Sequence, residues 1–249
     1  MCPSYLATRD EKDSTRGRAR VLQEMVNGGL VTAGWRAPEV HESLDLCLAC
    51  KGCASDCPTG VDMATYKAEV LHQRYAGRPR PRTHYSLGWL PRWARLASLA
   101  PGLANGTLRP RAVAAVAKRA AGIDGRRPLP RFAGRTFRAW FRRHRPASGD
   151  PVLLWVDTFT DHFTPEVGRA AVRVLEAAGF AVLIPSARVC CGLTWHSTGQ
   201  FGRARRAMRR GLAAVSAAAS AEVPVVGLEP SCVASLRGDA APLLDPADP

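Results

Sequence analysis

Cys47, Cys50, Cys53 and Cys57 stand at C-x2-C-x2-C-x3-C spacing, with Pro58 directly after the last. No other feature of the chain restricts its fold so strongly. The spacing is that of the bacterial iron–sulfur run. Three thiolates two residues apart wrap one face of a cubane, and the N–H groups between them can bond its sulfides. The fourth cysteine follows a longer step and a proline turn, so it points elsewhere; in two-cluster ferredoxins it ligates the other cluster. Zinc competes for C-x2-C pairs, but its sites usually draw on two separated pairs rather than a run of four.

Cys2-Pro3 looks like the closing pair of another such run, whose first three cysteines would lie upstream of Met1. On that reading Cys2 completes the cluster of Cys47, Cys50 and Cys53, while Cys57 serves a second, incomplete one. On the alternative reading Cys2 is a free thiol and Cys57 closes a single local cluster. The chain has eight cysteines and opens without the basic-then-apolar grammar of a secretory signal, which favours metal over a disulfide framework. No apolar run reaches the roughly 18 residues of a membrane span, so a secreted or membrane-spanning chain is not expected.

Charge divides the sequence into three blocks. Residues 1–71 carry 8 Lys/Arg against 10 Asp/Glu, residues 72–147 carry 18 against 1, and residues 148–249 carry 9 against 10. The cysteines avoid the basic block. In the first block Ser14 is expected to cap a helix that runs to about Val26, with Val21, Leu22, Met25 and Val26 on one side and Gly28-Gly29 ending it. Pro38 opens a second helix carrying Val40 and Leu44, and Asp62 caps a third carrying Met63, Tyr66 and Val70. The cysteine run thus sits on a small helical scaffold.

Prolines at 79, 81, 91, 101, 110, 128 and 130 chop the basic block into short helices and connectors. Its arginines, interleaved with Trp and Phe, suit an anionic membrane face, with Trp89, Leu90, Trp93 and Leu96 at the interface. They also suit an acidic partner or simple solvation. Nucleic acid ranks last, because no recognition motif accompanies the charge.

The third block alternates strand and helix. Pro151–Val156 reads as a buried strand, and Phe180–Pro185 and Val223–Leu228 as two further strands. Between them lie a helix capped by Thr164, with Val167, Ala170, Ala171, Val174 and Ala178 inward, and another from about Gly202 to Ala221. Right-handed crossovers make this β-α-β-α-β order a parallel sheet. Ligands gather beyond the carboxyl ends of such strands. Cys190 and Cys191 follow the second strand and Cys232 the third, so all three converge on one edge. His162 and His196, near Asp157 and Cys191, read as satisfied loop histidines.

Cys-Pro-Ser-Tyr at the start, Ser14–Arg18, Cys-Leu-Ala-Cys-Lys-Gly-Cys and Pro-Thr-Gly-Val-Asp-Met-Ala-Thr-Tyr-Lys resemble the helical two-cluster region of FAD-linked, iron–sulfur D-2-hydroxy-acid dehydrogenases. That family is related to the iron–sulfur subunit of glycolate oxidase and to the small subunit of anaerobic glycerol-3-phosphate dehydrogenase. Cys190-Cys191-Gly192 and Glu229-Pro-Ser-Cys232 resemble its cysteine-rich CCG domain. The resemblance implies an α+β chain: a helical ferredoxin-like domain (1–71), a basic connector (72–147) and a Rossmann-like CCG half-domain (148–249). It also implies a [4Fe–4S] cluster, and an FAD domain upstream or on a partner; on this reading the sequence is a piece of a longer enzyme or a shortened product. The role implied is electron relay from a 2-hydroxy-acid dehydrogenase, in the cytoplasm or on the inner membrane face. The chain departs from the CCG pattern in two ways. A further cysteine usually ends the first strand, where Val156-Asp157-Thr158-Phe159 stands here, and the second copy of the domain is absent.

Overall fold

The computed structural model describes residues 2–244. They form two compact units. The first comprises residues up to Arg80 together with His196–Phe201; the second comprises Pro81–Trp195 and the remainder from Gly202.

The first unit is helical: α1 (Pro3–Thr8), α2 (Thr15–Asn27), α3 (Pro38–Asp45), α4 (Gly52–Asp56) and α5 (Met63–Arg74). Its boundaries have local causes. The Ser14 hydroxyl accepts from the Gly17 N–H at 2.9 Å and starts α2, and Gly28 ends it at φ 67°. Pro38 stands at the first turn of α3, where its missing N–H costs nothing. The Asp62 carboxylate accepts from the N–H groups of Ala64 and Thr65 and starts α5. Met25, Val31, Val40, Leu44, Met63 and Val70 form the core, with Cys47 and Cys53 packed on it. Two residues expected inward are not. Val26 and Tyr66 are exposed, because the buried stripe of α2 centres on Arg18 and Met25 and that of α5 on Ala64, Ala68 and Leu71.

The second unit begins with α6 (Arg82–Ser86), α7 (Leu90–Ala97), α8 (Pro101–Thr107), α9 (Arg111–Ala121) and α10 (Phe137–Phe141). There follow β1 (Asp150–Trp155), α11 (Thr158–His162), α12 (Pro165–Ala177), β2 (Phe180–Leu183), α13 (Leu193–His196), α14 (Phe201–Ser220), β3 (Val225–Gly227), α15 (Pro230–Gly238) and α16 (Ala240–Leu243). The strands are parallel in the order β2-β1-β3, with Val152 opposite Val182 and Leu154 opposite Val226. The chain is therefore α+β, with a parallel Rossmann-like C-terminal sheet. Because β1 is central, the connections from it and back across it part there, and the carboxyl ends of β1 and β3 border the switch point.

Phe137, Val152, Leu154, Val156, Val172 and Val182 form the main core, so α10 from the basic block packs with the sheet. Helix α12 turns a different face inward from the one the apolar pattern predicts. Pro165, Gly168 and Val172 are buried, whereas Val167 and Val174 are exposed, Val174 at 68 %. Gly168 decides the rotation: a Cβ there would lie 2.6 Å from the Phe137 ring, so only glycine lets the two helices approach this closely. Thr164 precedes α12 but makes no capping bond to it.

Candidate iron–sulfur site

The structure places Cys2, Cys47, Cys50, Cys53 and Cys57 around one cavity of about 410 Å³. Cys2 arrives because the Ser4 hydroxyl on α1 donates to the Leu46 carbonyl, one residue before Cys47. Cys47 leaves the end of α3, and Cys53 lies on α4. Between them Ala49 (φ 53°) and Lys51 (φ 59°) take the left-handed conformation on either side of Cys50. For non-glycine residues this costs of order 1–3 kcal/mol each. It coils the loop tightly and turns Cys50 outward, exposed among the five.

The electrostatics favour thiolates. Arg18 and Asp13 are each 1 % exposed and form an ion pair at 3.8 Å. Arg18 also donates to the Ser43 carbonyl at 2.8 Å and, through Nη1, to the Cys2 sulfur at 3.1 Å. Burial works against ionisation of Cys2, but the Tyr5 N–H and the Arg18 guanidinium outweigh it and bring the thiol below its usual value. The Thr59 hydroxyl and the backbone around it lower Cys57. The Met63 N–H points at the Cys53 sulfur at 3.3 Å. Lys51 pairs with Asp62 at 2.8 Å, and Lys67 donates to the Cys47 carbonyl at 2.7 Å. Among the described residues no three His, Cys, Asp or Glu side chains are close enough to share a single metal ion.

Arg18, Lys51 and Lys67 were not singled out from the sequence. Arg18 left a signal: it lies four and seven residues before Leu22 and Met25, which puts a charge on the stripe that faces the core.

A second cysteine group lies in the other unit. Cys191 and Cys232 are buried with their sulfurs 3.1 Å apart, packed with Trp155 and Val189, and Cys190 is their half-buried neighbour. Gly192 (φ 81°) makes the turn after Cys191 and itself lies close against Ala204 of α14. The Cys191 thiol and burial push Cys190 well above its ordinary value. At Cys191 the hydrogen bond with Cys190 lowers the pKa, but the contact with Cys232 and burial win and lift it to about 12. Asp157 lies just beyond β1, in the stretch Val156–Phe159 that holds no cysteine. Its carboxylate accepts from the N–H groups of Phe159 and Thr160 and from the Thr160 hydroxyl, so it caps α11.

His162 lies on a helix rather than a loop. It is buried, bonded to the Ser98 hydroxyl at 2.8 Å and set 3.6 Å from Asp161, and burial lowers its pKa. His196 ends α13 and stacks on Phe201. Among the described residues no helix is long and apolar enough to cross a membrane.

Residues 1–61 match the 4Fe-4S dicluster domain family, and residues 157–237 match the cysteine-rich domain family. The chain is 25 % identical over 276 aligned residues to the D-2-hydroxyglutarate dehydrogenase of Pseudomonas putida, a match covering 93 % of this chain and 27 % of that protein. It is 28 % identical over 231 residues to the glycolate oxidase iron-sulfur subunit of Escherichia coli, a match covering 88 % of this chain and 51 % of that protein. One of the subunits of the anaerobic glycerol-3-phosphate dehydrogenase of E. coli is 28 % identical over 121 residues, 47 % of this chain and 31 % of that protein. The chain spans about a quarter of the length of the D-2-hydroxyglutarate dehydrogenases it matches. No solved structure matches it. The resemblance carried by the motifs thus holds at both ends of the chain, and the cofactor is of the 4Fe-4S kind.

Proposed function

We propose that this chain, an iron–sulfur region akin to those of the dehydrogenases just named, relays electrons between a flavin-bearing dehydrogenase and a further acceptor. The observation that carries the reading is the convergence of Cys2, Cys47, Cys50, Cys53 and Cys57 on one cavity lined with cationic and N–H donors. A [4Fe–4S] cluster held by Cys2, Cys47, Cys50 and Cys53 as thiolates would supply one-electron chemistry. The chain's own groups prepare for it. Arg18 donates to the Cys2 sulfur and helps lower its pKa, Lys67 fixes the Cys47 backbone, and the paired Lys51 and Asp62 tie the cysteine loop to α5. Thiols must lose protons to bind metal, so a site that lowers their pKa raises affinity.

Cys57 we assign to a second cluster completed by cysteines from outside this chain. The three blocks divide the work: residues 1–71 hold the redox centre, 72–147 supply a basic surface, and 148–249 dock or support the dehydrogenase. The relatives' names point to a 2-hydroxy acid such as glycolate or 2-hydroxyglutarate as the ultimate donor, oxidised on an FAD domain. Anaerobic purification followed by iron, zinc and acid-labile sulfide analysis tests the reading. Brown protein with iron and sulfide in equal amounts supports it; colourless protein with zinc overturns it in favour of a metal-stabilised basic binding module. In the brown protein, Cys2→Ser is expected to lose more iron than Cys57→Ser, and the reverse ranking would show a self-contained local site.

Peripheral contact with an anionic membrane is a finer expectation. Trp89 is covered by Arg92 and Arg203, but Trp93 and Leu96 stand 47 % and 58 % exposed. Salt-sensitive co-sedimentation with anionic vesicles, weakened severalfold in Trp93→Ala/Leu96→Ala, is the expected result. Binding unchanged by the replacements would leave charge alone responsible.

A further inference from the structure

Six arginines from three separate parts of the second unit line one small concavity of about 190 Å³: Arg92 and Arg95 of α7, Arg188 after β2, and Arg203, Arg206 and Arg210 of α14. Cys190 forms part of its wall, and no carboxylate lines it. On α14 the three arginines fall at i, i+3 and i+7, so they share a face at a cost of a few tenths of a kcal/mol per like-charged pair. Among the described residues none of the six has an ion pair with a carboxylate. The acid that influences Arg95, Asp161, is already shared by Arg138 at 3.9 Å and His162 at 3.6 Å.

Arg95 and Arg203 are half-buried, while Arg92, Arg188, Arg206 and Arg210 are exposed around them. The guanidinium groups of Arg203 and Arg92 lie 4.0 Å and 5.0 Å from the centre of the same ring, that of Trp89. Arg95 reaches the Arg188 carbonyl at 3.5 Å. Burial first, and then Arg92 and Arg206, push the Arg203 pKa down. Burial likewise lowers Arg95, with Arg188 and Arg92 adding to it against the pull of Cys190 and Asp161. A concavity that gathers guanidinium groups and offers them no internal counter-charge attracts anions.

We propose that this pocket binds a small phosphate-class oxyanion. Guanidinium forks approaching from three elements match a tetrahedral anion, whose oxygens point in several directions; a planar carboxylate is satisfied by one or two forks. The concave shape and small volume exclude a nucleic-acid strand. The site neighbours the Cys190–Cys191 turn but contains no residue of the iron–sulfur cavity, so the proposal stands or falls independently of the electron-relay reading.

The test is calorimetric titration of the whole chain with inorganic phosphate and pyrophosphate at physiological salt, where screening acts beyond about 8 Å. Saturable one-site binding is expected, tighter for pyrophosphate. Arg206→Ala/Arg210→Ala should weaken it at least tenfold, whereas Arg142→Ala/Arg143→Ala, which removes equal charge elsewhere in the unit, should change it less than twofold. Arg95→Lys keeps the charge, removes the fork and is expected to weaken binding at least threefold, which guards against misfolding of the double variant. Four outcomes overturn the proposal: no saturable binding, equal losses in both double variants, succinate binding as tightly as phosphate, or binding only to phosphatidate vesicles.

Discussion

The two cysteine groups have nearly the same raw material and opposite chemistry. At the N-terminal cavity the thiols meet Arg18, backbone N–H groups and the Thr59 hydroxyl, and Cys2 and Cys57 are shifted towards the thiolate. At the sheet edge Cys191 meets Cys190, Cys232 and an apolar wall of Trp155 and Val189, Cys190 also borders the arginine concavity, and both are shifted towards the thiol. A thiol among donors is a ligand in waiting; a thiol among thiols and hydrocarbon behaves as a small apolar side chain. Cysteine spacing alone does not separate the two. The surrounding donors do.

The largest effect that would break this comparison is on cluster content. Cys50→Ser should abolish iron, sulfide and the visible absorption band and loosen the first unit, since cluster binding is coupled to folding. Cys232→Ser should leave iron unchanged. Equal losses would mean that both groups hold metal.

Reactivity comes next. In the metal-free chain at pH 8, iodoacetamide should modify Cys2 and Cys57 about a thousandfold faster than Cys191, because a thiol with a pKa near 12 is ionised about 10⁻⁴ of the time at that pH. Mass mapping of the modified peptides reads this directly. The same shift has a stability sign. A thiol whose pKa is raised by folding stabilises the native state below its unfolded value of 9.0, and that contribution is lost as pH rises from there through about 12. Cys191→Ala should therefore flatten the alkaline fall in stability. An unchanged alkaline limb would place the cause elsewhere.

Arg18→Met separates the electrostatics from the thiols. It leaves the buried Asp13 without its cation, and breaking a buried pair in this way costs about 3–5 kcal/mol, which denaturant unfolding of the metal-free chain measures. The Cys2 thiol should also titrate higher in this variant. Loss of less than about 1 kcal/mol with an unmoved Cys2 would remove Arg18 from the site.

Asp157→Ala gives the smallest effect. Loss of an N-cap costs about 1 kcal/mol, seen as a modest drop in melting temperature with iron content unchanged. A change in iron content would show that Asp157 serves the cysteines and not only α11.

Much of this architecture was legible beforehand, where the cause is local. Ser14, Pro38 and Asp62 start helices because a hydroxyl, a missing N–H and a carboxylate act within three residues of themselves. The three strands and their parallel order follow from alternating apolar runs and helices and the handedness of crossovers. The cysteine run announced its chemistry through spacing alone, because a cluster imposes a fixed separation on its ligands.

What spacing could not carry was which way each surface turns and which distant groups meet. Helix α12 has apolar residues on more than one side, and the close approach at Gly168 to Phe137 selected the buried one. The sequence by itself determined that a cluster-binding helical region precedes a parallel α/β region, since those instructions are written in neighbouring residues. Only tertiary structure brought the Arg18 guanidinium to the Cys2 sulfur and gathered arginines from α7, the β2 loop and α14 around one cavity. Each of these depends on contacts between residues far apart in the chain, and a linear pattern contains no term for them.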